Sequence, residues 1–190
     1  MKKTSIVNYV AILLLVFAGI LFAEIAPPEE GGVLPEVILS LPEEPVHQKY
    51  LGITENKKTF HISEINAEIL LIEIFSMYCP YCQKDAPAVN ELYDKIAQDG
   101  NLKDKIKLIG IGAGNSPFEV DFFRNTYKIQ FPLFADGDFS IHKRLGEVRT
   151  PFFIGVKIKK DGTHAIFYSK QGAIEDAPKF LSLILDKAGI

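Results

Sequence analysis

The chain has no tryptophan and only two cysteines in 190 residues. So few cysteines exclude a fold held by a disulfide framework. With 47% hydrophobic residues a core can form without staples or a structural metal. Two cysteines also supply only half of a structural zinc site. His47, His61, His142 and His164 show no paired spacing with each other or with the cysteines, so neither zinc nor copper is expected. Positive charge is not in excess either. The formal charge of −3 argues against a nucleic-acid binder, and the lysines at 57–58, 103–107 and 157–160 alternate with acids or apolar residues. No internal repeat occurs. Gly110-Ile-Gly-Ala-Gly114 lacks the spacing of a dinucleotide-binding loop and is expected to end a strand at a turn. No cofactor is called for.

What is present begins at the amino terminus. Lys2 and Lys3 precede an apolar run from Val10 to Ala23, extended upstream by Ile6 and Val7. A basic start followed by such a run reads as a secretory signal or as an uncleaved anchor through residues 6–23. A spanning helix needs about 20 apolar residues, so the segment sits between the two. Ala23 offers a small residue for cleavage, but Leu21 is bulky for such a site, and no cysteine lies nearby for lipid attachment. Residues 24–45, with five prolines and four of their glutamates in pairs, read as a tether that cannot offset its own ordering entropy. Within it, Val33 to Leu41 is apolar enough to lie on a neighbouring domain as an added strand. Residues 46–190 have the pattern of one globular domain.

Two short strands are expected at Val46–Ile53 and Thr59–Ile62, around the turn Glu55-Asn56-Lys57-Lys58. Ile69 to Phe75 is nearly continuous in apolar residues, as in a central strand covered on both faces. From Cys79 to about Gln98 apolar residues recur at helical spacing. A buried strand follows at Ile106–Ile111. Ser116 and Pro117 then have the order of an N-cap and first helical residue, for a helix to about Tyr127. Phe131–Phe134 reads as a strand and Ser140–Leu145 as a short helix. Thr150 to about Ile158 and Ala165–Tyr168 read as a hairpin about Lys160-Asp161-Gly162-Thr163, and Ala173–Ala188 as a closing helix. Alternating strands and helices ending in a hairpin predict an α/β fold, with a mixed central sheet flanked by helices on both faces and an N-terminal strand or hairpin extension.

The two cysteines form Cys79-Pro80-Tyr81-Cys82, where a buried strand hands over to a helix. As a structural bridge they would close so small a loop that little unfolded-state entropy is removed. As a redox pair they are well situated. Unpaired N–H groups and the helix dipole favour a thiolate at Cys79, and Cys82, one turn on, can resolve a mixed disulfide.

Glu73-Ile-Phe-Ser-Met-Tyr-Cys79-Pro-Tyr-Cys82, together with Pro87 and Thr150-Pro151, resembles the thioredoxin superfamily, and within it the exported, membrane-tethered thiol-disulfide oxidoreductases of the TlpA/ResA type. The resemblance covers roughly residues 46–188 and implies a thioredoxin-like domain. It implies that Glu73 is a buried acid assisting proton transfer with Cys82, and that Asp85 stands where the subgroup often carries a glutamate. It further implies that Pro87 kinks the helix. Thr150-Pro151 corresponds to a cis-proline loop whose backbone receives an extended substrate. Tyr78 replaces the tryptophan usual before the first cysteine, and Tyr78, Pro80 and Tyr81 are expected to form a partly apolar substrate rim.

The resemblance implies disulfide exchange with exported proteins outside the cytoplasm, in the periplasm or at the outer face of the membrane. The partners implied are protein thiols and disulfides and a membrane electron donor; a monomer is favoured. Reduction, for example of apocytochrome, is the leading expectation. The Pro80-Tyr81 dipeptide keeps oxidation or isomerisation of clients open, and a non-catalytic binding module is the remaining alternative. A peroxidase would need an arginine near the cysteine, whereas Arg124, Arg144 and Arg149 come much later in sequence.

Overall fold

A computed structural model of the chain describes residues 26–54, 57–158 and 163–190. The apolar leader, Glu55-Asn56 and most of the 160–163 turn lie outside these residues. Five strands form the central sheet: β3 (Ile69–Phe75), β4 (Ile106–Ala113), β5 (Leu133–Asp136), β6 (Phe152–Ile158) and β7 (His164–Gln171). Their order is β5-β4-β3-β6-β7. β3, β4 and β5 are parallel, while β6 runs antiparallel to both β3 and β7. β3 is buried at all seven positions, as its unbroken apolar run requires for a strand covered on both sides.

Alternation along β3 divides the core. Leu70, Ile72 and Ile74 face a cluster completed by Leu51, Phe60, Ile141 and Leu145. Ile69, Leu71 and Phe75 face the other cluster, formed with α2 (Pro80–Gln98), α3 (Pro117–Tyr127) and α5 (Ala177–Ala188). The mixed sheet with helices on both faces is therefore as the sequence predicts. Ser116 caps α3, its hydroxyl and Glu119 forming the reciprocal bonds of a capping box. Gly110 and Gly112 lie inside β4, and Gly114 turns the chain at φ 66°.

Residues 46–53 are not a strand. They fold as α1 (Pro45–Leu51), followed by Gly52 at φ 72°. Proline at the first helical position and glycine just past the end are the local signals that outweigh the short apolar spacing. Thr59–His61 is a strand, β2, but it pairs with β1 (Ile38–Ser40). The last helix starts at Ala177 rather than Ala173, because the Asp176 side chain caps it by accepting the N–H of Lys179. The fifth strand begins at Leu133, two residues later than its apolar run.

The segment before α1 is built into the domain. Leu34, Val37 and Leu39 are buried. Gly31 N–H donates to the Ile166 carbonyl at 2.8 Å, Leu34 N–H to His164 at 2.9 Å, and Ile166 N–H to Gly32 at 2.9 Å. Residues 31–34 thus run along the outer edge of β7. Farther on, the Glu44 carboxylate meets the Arg124 guanidinium at 2.5 Å.

Candidate functional site

The carboxyl end of β3 passes through Ser76-Met77-Tyr78 into α2, and Cys79 is the N-cap of that helix. Its sulfur accepts the Cys82 N–H at 3.2 Å and its thiol donates to the Thr150 carbonyl at 3.4 Å. Cys79 is half-buried and Cys82 has no exposed surface. Both are free thiols here. One sulfur is thus open to solvent at a helix start, and the other sits behind it in the core.

The loop holding Cys79 is braced by residues that sequence reading missed. Asn115, fully buried, accepts the Met77 N–H at 2.8 Å. Gln83 donates to the Met77 carbonyl at 2.7 Å. The only sequence signal for Asn115 is its place between the turn glycine Gly114 and the N-cap Ser116. Its partner lies 38 residues away.

Glu73 stands on the α2-facing side of β3, between Leu71 and Phe75, and is only 3% exposed. Burial, assisted by the Asp85 carboxylate and the Cys79 sulfur, raises its pKa to about 8. Burial also pushes the Cys82 thiol far above the ordinary range, reinforced by its hydrogen bond with Cys79. Asp85, one turn beyond Cys82, is likewise buried. Its two oxygens accept the N–H groups of Ile174 at 2.9 Å and Glu175 at 3.2 Å. Burial raises its pKa, and those two bonds oppose the rise.

The Thr150–Pro151 peptide bond is cis and lies across from Cys79. Pro80 is exposed at the first helical position of α2. Tyr81 and Tyr78 are exposed by 71% and 66%. The Tyr78 hydroxyl hydrogen-bonds Glu119, tying the rim to α3. That bond raises the Tyr78 pKa.

Beside Cys79 a groove of about 470 Å³ is lined by Ser76, Tyr78, Phe139, His142 and Thr150. His142 lies in α4 (Ser140–Arg144), and its Nε2 is 2.8 Å from the Val148 carbonyl. Arg149, far from the cysteines in sequence, borders this groove, while Arg124 is engaged with Glu44. Among the described residues, no group of three or more His, Cys, Asp or Glu side chains could hold a metal ion.

The family model described as AhpC/TSA matches residues 42–176, which contain the cysteine pair, Glu73, Asp85 and Thr150-Pro151. The chain belongs to the AhpC/TSA family. One relative, the thiol-disulfide oxidoreductase ResA of Bacillus thuringiensis subsp. konkukian, is 26% identical over 105 residues, or 55% of this chain. The match spans 57% of that relative's own length. Among solved structures, the thioredoxin domain of a thiol-disulfide oxidoreductase from Bacteroides vulgatus superposes with a TM-score of 0.59 at 11% identity, covering 83% of this chain and 99% of that one. StoA from Bacillus subtilis gives 0.54 at 18% identity, over 79% and 96% of the two chains. These likenesses establish the thioredoxin-like fold of this AhpC/TSA member.

Proposed function

We propose that this chain is a thiol-disulfide oxidoreductase that reduces disulfides of exported proteins through Cys79 and Cys82. The observation that carries the proposal is the pairing of a half-exposed helix-capping sulfur, at 3.2 Å from the Cys82 N–H, with a fully buried second thiol. The likeness to a thiol-disulfide oxidoreductase, ResA, supports it.

Negative charge on Cys79 Sγ is stabilised by the Cys82 N–H and by the start of α2. The Cys79 thiolate attacks a client disulfide, forming a bond to one client sulfur and releasing the other as a thiolate. Cys82 then gives up its proton, attacks Cys79, and closes the protein disulfide as the second client sulfur leaves. Two electrons pass to the client, and the protons of the two protein thiols end on the two client thiols. Glu73, in its unprotonated form, is the base that relieves Cys82 of its proton. Asp85 stands beside this pair as a fixed buried carboxylate. Tyr78, Pro80, Tyr81 and the Thr150 backbone frame the approach of the client. A membrane electron donor restores the dithiol, and the basic, apolar amino terminus supports a location outside the cytoplasm, with residues 1–23 as signal or anchor.

The Pro80-Tyr81 dipeptide supports a second direction, oxidation of clients. Equilibrating the full chain against glutathione and dithiothreitol buffers separates the two. A potential near thioredoxin's, about −270 mV, is expected of a reductant, and one near DsbA's, about −120 mV, would overturn that direction.

A further inference from the structure

Three consecutive residues of the loop that delivers Cys79 are gripped from the turn between β4 and α3. The Cys79 N–H donates to the Ser76 carbonyl at 3.0 Å, closing a turn with Met77 and Tyr78 at its centre. Such a bond satisfies the two ends of a turn and leaves the central peptide groups to find partners elsewhere. Asn115 Oδ1 accepts the Met77 N–H at 2.8 Å, and Asn115 Nδ2 donates to Ser76 Oγ at 3.4 Å. Gln83, in the first turn of α2, donates to the Met77 carbonyl at 2.7 Å. Tyr78 is tied by its hydroxyl to Glu119, which also completes the Ser116 capping box. Asn115 has no exposed surface and is itself held, its N–H donating to the Gly112 carbonyl at 3.0 Å. Gly112 leaves room for it: a Cβ added there would stand 3.1 Å from Asn115 Oδ1 and 3.2 Å from Asn115 Cβ.

The aim of the Cys79 sulfur depends on this grip. Its polar contacts are the Cys82 N–H at 3.2 Å and the Thr150 carbonyl at 3.4 Å. A hydrogen bond to a charged acceptor weakens as its distance and angle depart from ideal, so a small rotation of the 76–79 turn costs thiolate stability. Asn115 also has the right chemistry for its place. An amide both accepts and donates, whereas a carboxylate there would set a second anion near the thiolate. We propose that Asn115 and Gln83 are positioning residues for the nucleophile: holding the Met77 peptide groups from two sides, they keep Cys79 Sγ aimed at the Cys82 N–H. This rests on the proposed oxidoreductase reading. It places part of the reactivity of Cys79 in a side chain that lies outside the cysteine motif and its helix.

The test follows alkylation of Cys79 by iodoacetamide in the reduced full chain across pH, with mass spectrometry locating the adduct. The quantity compared is the rate in mild acid as a fraction of its plateau in base, which tracks the thiolate population. Asn115→Ala is expected to lower that fraction about fivefold, the scale of weakening one hydrogen bond to a charged group. Gln83→Ala, at a half-buried position, is expected to fold and to lower it about threefold. Urea midpoints are measured alongside, because a purely structural role would lower the midpoint and leave the pH profile on that of the parent. Such an overlay in either folded variant would overturn the two-sided hold on Met77, and if Asn115→Ala does not fold, Gln83→Ala decides. Alkylation needs no client. A parent chain that alkylates with the expected profile yet reduces no peptide disulfide would therefore overturn the oxidoreductase reading alone.

Discussion

The Asp85 carboxylate accepts the N–H of Ile174 at 2.9 Å, joining residues 89 apart and fastening the second turn of α2 to the approach to α5. Its other oxygen takes the N–H of Glu175, a residue in left-handed backbone at φ 53°. Replacing Asp85 with alanine leaves these donors without their acceptor. A loss of roughly 2–4 kcal/mol is expected, in line with removing the charged partner of buried hydrogen bonds. Urea unfolding measures it; a midpoint unchanged from the parent would show that the bonds add no stability.

Glu73 gives a pH dependence of definite sign. Its carboxyl keeps a proton up to about pH 8 when folded, against an ordinary value of 4.5. Between these two pH values the folded chain binds more protons than the unfolded one, so stability falls as pH rises, by up to about 1.4 kcal/mol per unit. Glu73→Gln removes this slope. The variant is expected to overtake the parent in urea midpoint as pH climbs through that window, and parallel curves would contradict the buried acid.

The same group times the second chemical step. Release of a client from the mixed disulfide is expected to accelerate as pH rises through about 8, where Glu73 ionises. Glu73→Gln is expected to slow release about 100-fold and abolish that inflection. Rapid-quench analysis of the mixed disulfide reads both effects. A parent profile without an inflection there would remove Glu73 from the step.

The two cysteines differ in reach. Cys82→Ser is expected to accumulate a stable adduct at Cys79 with glutathione disulfide, because the resolving sulfur is gone. Cys79→Ser is expected to remain largely unmodified, since Cys82 is fully covered and its thiol is held protonated. Mass spectrometry of the intact chain distinguishes them, and comparable labelling of both variants would contradict the order of attack.

The Glu44–Arg124 contact offers a check outside the redox site. Burial works against the Glu44 carboxylate, but a backbone hydrogen bond and the Arg124 charge hold its pKa below 4.5. Its contribution is therefore present above the unfolded pKa and is lost as pH falls through the folded one. With Glu44 side chain 44% exposed, Arg124→Met is expected to cost only about 1 kcal/mol near neutrality, and less in acid. Urea midpoints at both pH values test this, and a cost that grows in acid would reverse the sign.

Much of the sheet was legible because its signals are local. Seven apolar or covered positions in β3, the glycines that punctuate β4, and the Ser116-Pro117 start of α3 each carry their own explanation. The face on which Glu73 lies follows from strand alternation once β3 is recognised. α1 was misread because its apolar spacing is short, and its proline and glycine boundaries were the better guide. The bracing by Asn115 and the place of Phe139 and His142 in the groove lining were out of reach. Those arrangements depend on contacts between segments that only the folded topology brings together, and no motif spacing encodes them.

The course of residues 31–34 has a consequence for solubility. An outer strand with unpaired amides and carbonyls recruits strands from other molecules and seeds aggregates. In β7 the Ile166 amide and carbonyl and the His164 carbonyl are already taken by Gly31, Gly32 and Leu34. Residues 31–34 thus act as a guard rail, and a fragment trimmed past Leu34 would expose a sticky margin that the longer chain keeps covered.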